Sequence, residues 1–404
     1  MAKTDAHPWE FKARFRRNAF GWRSQPAVTR IRQAVAEIKK VARKSPLVGG
    51  EGAVTFLERL APAIEHVDSS SGSVGTAVGR AIDDLAPLIA GAPADPATRS
   101  AWLDRLWAAV EADQMPYLEG LGDHWGALCA SREVASAWAD RLIDGTRHAL
   151  DPAASPLSHF HGSSLCFSAL FHAGRHQELI ALLNVKTIWQ YKRWAVLALA
   201  ARGDLDEALR CAEASRDPWT TGEDADSVCE ALLLDAGRVD EAYARYGRRA
   251  TQSGTFLASF RMVIKKYPHK GPAEVLADLV RATPGDEGKW FAAAKEAGLC
   301  AEALALAGRA PCDPKTLTRA ARDHLDTQPA FALGAGILAL HWLVQGVGYD
   351  ITSADVWAAY RATIAVAERH GNVAGVRERV RALVASVGAG GPFVRQVLGR
   401  ELGL

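Results

Sequence analysis

The chain has 404 residues, of which 49% are hydrophobic and 23% charged, and these values exclude a largely disordered protein. The net charge of +2 excludes a uniformly basic protein, yet residues 11–44 hold eleven Lys or Arg and one acid, Glu37. That window therefore carries +10 and the remainder −8. None of the six cysteines lies three positions from another, which indicates buried thiols in a reduced, cytoplasmic setting.

The N-terminal half is predicted to be helical after an irregular arm. Residues 1–24 mix Arg with aromatics around Pro8 and Gly21 and carry no helical stripe. From Pro26, apolar residues recur every three or four positions up to Val41, and Pro46 with two glycines is expected to end this helix. Further helices are predicted over about 53–67, from Val74, and over about 97–113, 117–130 and 133–150. Short connections favour antiparallel helix hairpins over residues 25–150.

A repeated pattern follows the Pro-rich segment 151–156, which we take as a domain boundary. Four copies share a Gly, three intervening residues, a Glu, and then Ala or Leu, and their glycines are Gly174, Gly203, Gly237 and Gly298. Gly271 is a degenerate fifth copy. The spacings of 27 to 34 residues predict stacked helix pairs over about 160–310.

This pattern resembles the tetratricopeptide family. In that family a Gly opens the turn and an Ala packs early in the second helix, as in Gly203 with Ala208. The next packing positions are filled by Ala212, Tyr246 and Ala307. Trp194 lies about two positions later than the family's early Trp, and the family's first-helix Gly and Tyr are missing. The front half is instead similar to HEAT-type hairpins.

The resemblance implies an all-α fold in which antiparallel helix hairpins stack into a right-handed α-solenoid. Residues 151–404 would then be tetratricopeptide-like repeats that end in capping helices. Solenoids mostly present binding surfaces, so the resemblance implies a non-enzymatic scaffold with a protein or peptide on its concave face.

The arm suggests a second function, nucleic-acid binding, with a possible link to DNA repair. Its aromatics alternate with cations, and cations attract phosphates while aromatic faces stack on bases. The candidate residues are Lys12, Arg14, Arg16, Arg17, Trp22, Arg23, Arg30, Lys39 and Lys40. The same cations would also suit an acidic protein partner. Alternatively, the aromatics only dock the arm while its charges are solvated.

No motif predicts catalysis, a cofactor or a metal. Five His and Cys residues gather between His159 and His176, but Gly174 interrupts the face that two of them would share. Acid pairs such as Asp224 with Asp226 lie in polar segments that place no second catalytic group beside them. Residues 265–270 form a second basic patch, which we expect to be a solvated loop. An enzyme whose site forms only in three dimensions stays a third alternative.

One uncharged segment, residues 327–349, is long enough to span a bilayer. It contains Pro329, His341 and four glycines, and neither flank is positively charged. We therefore predict a helix buried on all sides and no membrane partner.

Overall fold

A computed structural model describes residues 7–151, 153, 160–185, 188–215, 222–249 and 254–404, with the side chains of 222–224 left out. Most of the described residues are helical and none lies in a strand, which confirms the all-α prediction. The chain divides into two compact units, Met1–Thr221 and Gly222–Leu404. The boundary predicted near residue 151 adjoins residues outside the described ranges and stays a prediction.

The first unit consists of eleven described helices, and one hydrophobic core runs through it from Trp9 to Ala198. Its helices are α1 (Phe11–Arg14), α2 (Ser24–Ala42), α3 (Pro46–Ile64), α4 (Ser73–Ala90), α5 (Pro96–Glu111), α6 (Leu121–Leu128), α7 (Arg132–Leu150), α8 (Ser163–His172), α9 (His176–Leu182), α10 (Trp189–Ala201) and α11 (Leu205–Ala214). Neighbouring helices pack in sequence order, with α2 against α3 and α4 and with α10 against α11.

The start of α3 differs from the sequence prediction. Pro46 occupies the first helical turn, where its missing N–H costs nothing, so the helix begins there rather than near residue 53. The following glycines lie inside the helix because neighbours approach too closely for a side chain. A Cβ on Gly50 would lie 2.8 Å from the Trp102 ring, and one on Gly52 would lie 2.1 Å from Trp9.

The repeated glycines end helices in the left-handed conformation. Their φ values are 75° at Gly174, 93° at Gly203, 73° at Gly237 and 75° at Gly298. After each one, a backbone N–H donates to the carbonyl five residues earlier, as Asp204 does to Leu199 at 3.0 Å. This is the Schellman motif, which satisfies carbonyls at the helix end.

Gly271 does not form a Schellman motif, whereas Gly371 does. Gly271 precedes Pro272 with an extended conformation (φ −69°, ψ 143°) and so begins a helix rather than ending one. Gly371 has a φ of 69°, and Asn372 N–H donates to the Ala367 carbonyl at 3.1 Å. The corner therefore recurs beyond the segment in which the sequence pattern is visible.

The second unit contains eleven α-helices and two short helices of other types among its described residues. Its α-helices are α12 (Gly222–Asp235), α13 (Val239–Ala242), α14 (Phe256–Lys266), α15 (Pro272–Arg281), α16 (Phe291–Glu296), α17 (Cys300–Arg309), α18 (Pro314–Asp323), α19 (Pro329–Val344), α20 (Ser353–Arg369), α21 (Val373–Ala385) and α22 (Gly391–Leu402). A π-helix, Tyr243–Gly247, continues α13, and a 3₁₀-helix, Glu287–Trp290, precedes α16.

The alanines of the pattern are packing positions. Ala208, Ala242 and Ala303 are each fully buried, which lets the two helices of a pair approach closely. The uncharged segment forms α19, where ten of sixteen residues are buried. None of the helices in the described parts of the chain combines the length and apolar character needed to cross a bilayer.

Candidate functional site

The aromatic side chains of the arm are mostly anchors. Trp9, Phe11 and Phe15 are at least 94% buried, and the rings of Phe11 and Phe15 pack edge-on against Phe56 of α3 at 5.5 and 5.0 Å. These three rings are therefore unavailable to stack on bases. Phe20 lies half-buried against Phe15. The alternation of aromatics and cations in the sequence is largely a docking pattern.

Polar contacts fix the backbone of the arm on the first hairpin. The Glu37 carboxylate accepts the backbone N–H groups of Glu10 and Phe11 at 2.7 and 3.2 Å. Arg59 donates to the carbonyls of Lys12 and Phe15 at 3.5 and 3.4 Å. Glu37, the one acid of the basic window, accepts these backbone N–H groups and forms no ion pair with a cation of the window among the described residues.

Three of the predicted site residues have local partners. Arg14 pairs with Glu10 at 3.3 Å, and Lys39 pairs with Asp84 at 2.8 Å. Arg30 donates to the side chain of Gln33 at 2.7 Å. These pairs are exposed and contribute little to stability, so an anionic ligand could displace them.

The other cations form what we call the N-terminal basic surface. Within the described ranges, no ion pair or hydrogen bond engages their side chains, and all but the half-buried Lys12 are exposed. Its members are Lys12, Arg16, Arg17, Arg23, Arg32, Lys40, Arg43 and Lys44. Trp22 lies beside Arg23 with 72% of its surface exposed, while its carbonyl accepts the Asp68 N–H at 2.8 Å.

The second unit holds a site that the sequence did not predict. A cavity of about 770 Å³ lies between the π-helix and the helices α14 and α15. Val263, Leu279 and Ala282 give it an apolar part. Its charged lining residues are Arg245, Arg248, Arg249, Lys270 and Arg281 with Asp240, Glu274 and Asp278. We call it the polar cavity.

The π-helix occurs where the repeat pattern changes. Tyr246 occupies the packing position that Ala212 and Ala307 fill in other pairs, and it is 99% buried. The helices α11 and α17 stay α-helical through that position, whereas the chain here widens into a π-helix. Such bulges are frequent at functional sites.

Two buried carboxylates on α12 bind side chains next to the polar cavity. Glu230 is 99% buried and accepts from the Tyr267 hydroxyl and, at 2.6 Å, from Lys266. Asp226, also 99% buried, pairs with Arg249 of the cavity wall at 3.2 Å. Burying a carboxylate is costly unless it is paired. The side chains that bind these two carboxylates must therefore keep their positions for the fold to be stable.

One phenol, Tyr243, lies in the cavity wall, and a second, the buried Tyr267, packs against it. Tyr243 donates to Asp278 at 2.8 Å, and its ring meets that of Tyr267 edge-on at 5.1 Å. Burial raises the pKa of both phenols, and the adjacent carboxylates Asp278 and Glu230 raise each pKa further. Both therefore stay protonated at neutral pH and act as hydrogen-bond donors.

The cavity is equipped to bind through charges of both signs, the phenol of Tyr243 and an apolar patch. Its lining residues among the described part of the chain include no Ser, Cys or His that could serve as a nucleophile or base. In the described ranges, no cluster of three His, Cys, Asp or Glu side chains has a metal-binding arrangement.

The expectation of a solvated loop over residues 265–270 was wrong only in part, because four of the six residues are exposed. Tyr267 is fully buried, Lys266 pairs with Glu230, and Lys270 pairs with Glu274 at 3.0 Å inside the cavity. These two acids lie on other helices, so a local sequence window cannot reveal the pairs. The clearest sequence signal was Tyr246, a bulky residue where other repeats have Ala.

The described His and Cys side chains between residues 160 and 176 do not form a metal site. His172 and His176 lie against backbone carbonyls of Ser168 and Phe171, and His161 lies 3.2 Å from Glu119. His159 falls outside the described residues. Cys166 is buried in the core, as its apolar neighbours indicated.

No family model matches the chain, and no curated protein and no solved structure is significantly similar to it. Both surfaces are therefore interpreted from the geometry of this chain.

Proposed function

We propose that this protein is a non-enzymatic scaffold of the α-solenoid type that binds a peptide segment of a partner protein. The polar cavity of the second unit is the single observation that carries this proposal. Its volume of about 770 Å³ falls in the range typical of ligand sites. Helix pairs closed by repeated Schellman corners support the tetratricopeptide-like arrangement.

The lining favours a peptide over a small apolar ligand. Cations and acids alternate around the cavity, with Lys270 beside Glu274 and Arg281 beside Asp278 at 2.9 Å. A peptide supplies backbone donors and acceptors together with side chains of both charges, and it can exchange partners with such pairs. The apolar patch at Val263 and Leu279 would accept an aliphatic or aromatic anchor.

The buried network below the cavity keeps the lining in position. Asp226 holds Arg249, and Asp278 holds the Tyr243 hydroxyl. A ligand that meets side chains already fixed in place loses less conformational entropy on binding. Affinity would come from a few such contacts rather than from total area.

A random 12-residue peptide library displayed on phage tests the proposal. The library is panned on wild-type protein after depletion on a Glu274→Lys, Arg281→Glu double variant, whose changed side chains are exposed. We expect enriched peptides that lose at least tenfold in affinity for the double variant by calorimetry. Glu378→Lys, an exposed change outside the cavity, should leave affinity unchanged.

Thermal unfolding of each variant checks that the fold is intact. Peptides that bind the double variant as tightly as the wild type would place the ligand elsewhere and overturn the proposal. A library that yields no sequence above background would also contradict it.

A further inference from the structure

We propose that the N-terminal basic surface binds single-stranded nucleic acid. The surface belongs to the first unit and shares no residue with the polar cavity, so the proposal stands or falls independently of the peptide site.

Charge is the first argument. Eight cations lie on this surface without a side-chain partner among the described residues, and seven of them are exposed. Acids offset them only in part, because residues 11–44 hold eleven Lys or Arg against the single acid Glu37. A surface with a net positive charge attracts a polyanion and releases its counterions on binding.

The spacing of the cations along α2 is the second argument. Arg32 and Lys40 of α2, and Arg43 directly after its last residue, are exposed and lie outside the buried stripe that Val28, Ile31 and other apolar residues form. With a rise of about 1.5 Å per residue, Arg32 and Arg43 are separated by roughly 16 Å along the helix axis. Arg23, directly before the helix, is also exposed. Exposed cations spread over this length of chain can contact several phosphates of one strand.

Trp22 is the third argument and favours nucleic acid over an acidic protein. Trp9, Phe11 and Phe15 are buried in the core. Trp22, which precedes Arg23 in the sequence, is 72% exposed. A free aromatic face among cations stacks on an unpaired base and adds affinity that a purely acidic chain cannot supply. Duplex bases are not available for such stacking, so single strands are the better ligand.

Fluorescence anisotropy tests the proposal on the full chain. The probes are fluorescein-labelled dT20, U20, a 20-base-pair duplex and poly-glutamate, titrated at 50 and 200 mM salt. We expect micromolar or tighter binding of a single strand at 50 mM salt, with weaker binding of duplex and poly-glutamate.

Two variants and one matched control locate the site. Arg32→Ala, Lys40→Ala, Arg43→Ala should lower the slope of log affinity against log salt by about 2, since each phosphate contact contributes about 0.7 for single strands. Trp22→Ala should weaken single-strand binding about tenfold and leave poly-glutamate binding unchanged. Arg319→Ala, Arg379→Ala, Arg400→Ala removes the same charge from exposed positions of the second unit and should change neither result.

Three outcomes would overturn the proposal. Absence of single-strand binding at 50 mM salt would remove it. Poly-glutamate binding as tight as that of dT20 and U20 would indicate a surface for acidic proteins. Equal losses in the control triple would indicate attraction to the whole chain rather than a site.

Discussion

At the scale of single residues, the helix corners depend on glycine conformation. Gly203 has a φ of 93° and open space around its Cα, so a methyl group there would meet no neighbour. Any cost of adding one would therefore come from the backbone alone.

We predict that Gly203→Ala lowers the free energy of unfolding by about 1 kcal/mol, because Ala resists positive φ. Gly79 is a matched control in the same unit, since it lies within α4 and also has open space. Gly79→Ala should raise stability by about 0.5–1 kcal/mol, because Ala is the better helix former. Urea unfolding of both variants measures the contrast, and equal effects would contradict the left-handed corner.

The buried acid below the polar cavity gives a second prediction at this scale. Tyr267→Phe removes the hydroxyl that donates to Glu230 and leaves a buried carboxylate with one fewer partner. We expect a loss of about 1–3 kcal/mol in the free energy of unfolding. Tyr349→Phe, at a side chain that is 85% exposed, should stay within about 0.5 kcal/mol of wild type. A neutral Tyr267→Phe would mean that the network is not tightly coupled.

Buried thiols predict an alkaline loss of stability. Burial raises the pKa of Cys129 to about 12 and that of Cys312 to about 12, above the ordinary value of 9.0. Between these values the unfolded chain binds fewer protons than the folded one, so the free energy of unfolding falls as pH rises. The effect at pH 10 should be about 1 kcal/mol per thiol. The drop between pH 8 and pH 10 should therefore shrink in Cys129→Ala, Cys312→Ala; an unchanged drop would contradict this account.

At the scale of elements, the arm is part of the first unit's core rather than a detachable extension. Phe15 is 99% buried and touches both Phe20 and Phe56. Deleting residues 1–24 would remove this anchor together with half of the cations of the basic surface, so a loss of folding could not be distinguished from a loss of binding.

We predict that Phe15→Ala lowers the free energy of unfolding by about 3–5 kcal/mol, as truncations of buried aromatic side chains commonly do. Trp22→Ala, at the exposed aromatic of the same arm, should cost less than about 0.5 kcal/mol. Denaturant unfolding of the full chain compares the two. A small effect of Phe15→Ala would indicate that the arm detaches in solution.

Sequence periodicity predicted the helices well and their junctions less well. The apolar stripe of α2 and the start of α4 near Val74 follow from local pattern, and both are observed. The start of α3 was missed because Pro46 and Gly50 usually interrupt helices, whereas here one begins the helix and the other accommodates Trp102. The π-helix could not be predicted, because it depends on how buried Tyr246 packs against other helices.

At the scale of the whole molecule, the all-α prediction is confirmed and the two proposed surfaces lie on different units. The candidate cations were visible in the sequence because charge is local, and residues 11–44 hold all of them. The polar cavity was not visible, because Asp226, Tyr243 and Lys270 come from separate elements that only the fold brings together. The solenoid arrangement and the identity of the partner stay proposals.

Hydrogen exchange by mass spectrometry, with and without a peptide enriched by panning, tests the central claim most directly. The account predicts slower exchange confined to residues 239–249 and 263–282, which surround the polar cavity. Slower exchange only in other segments, or unchanged exchange in both ranges with the peptide bound, would contradict a peptide site in this cavity.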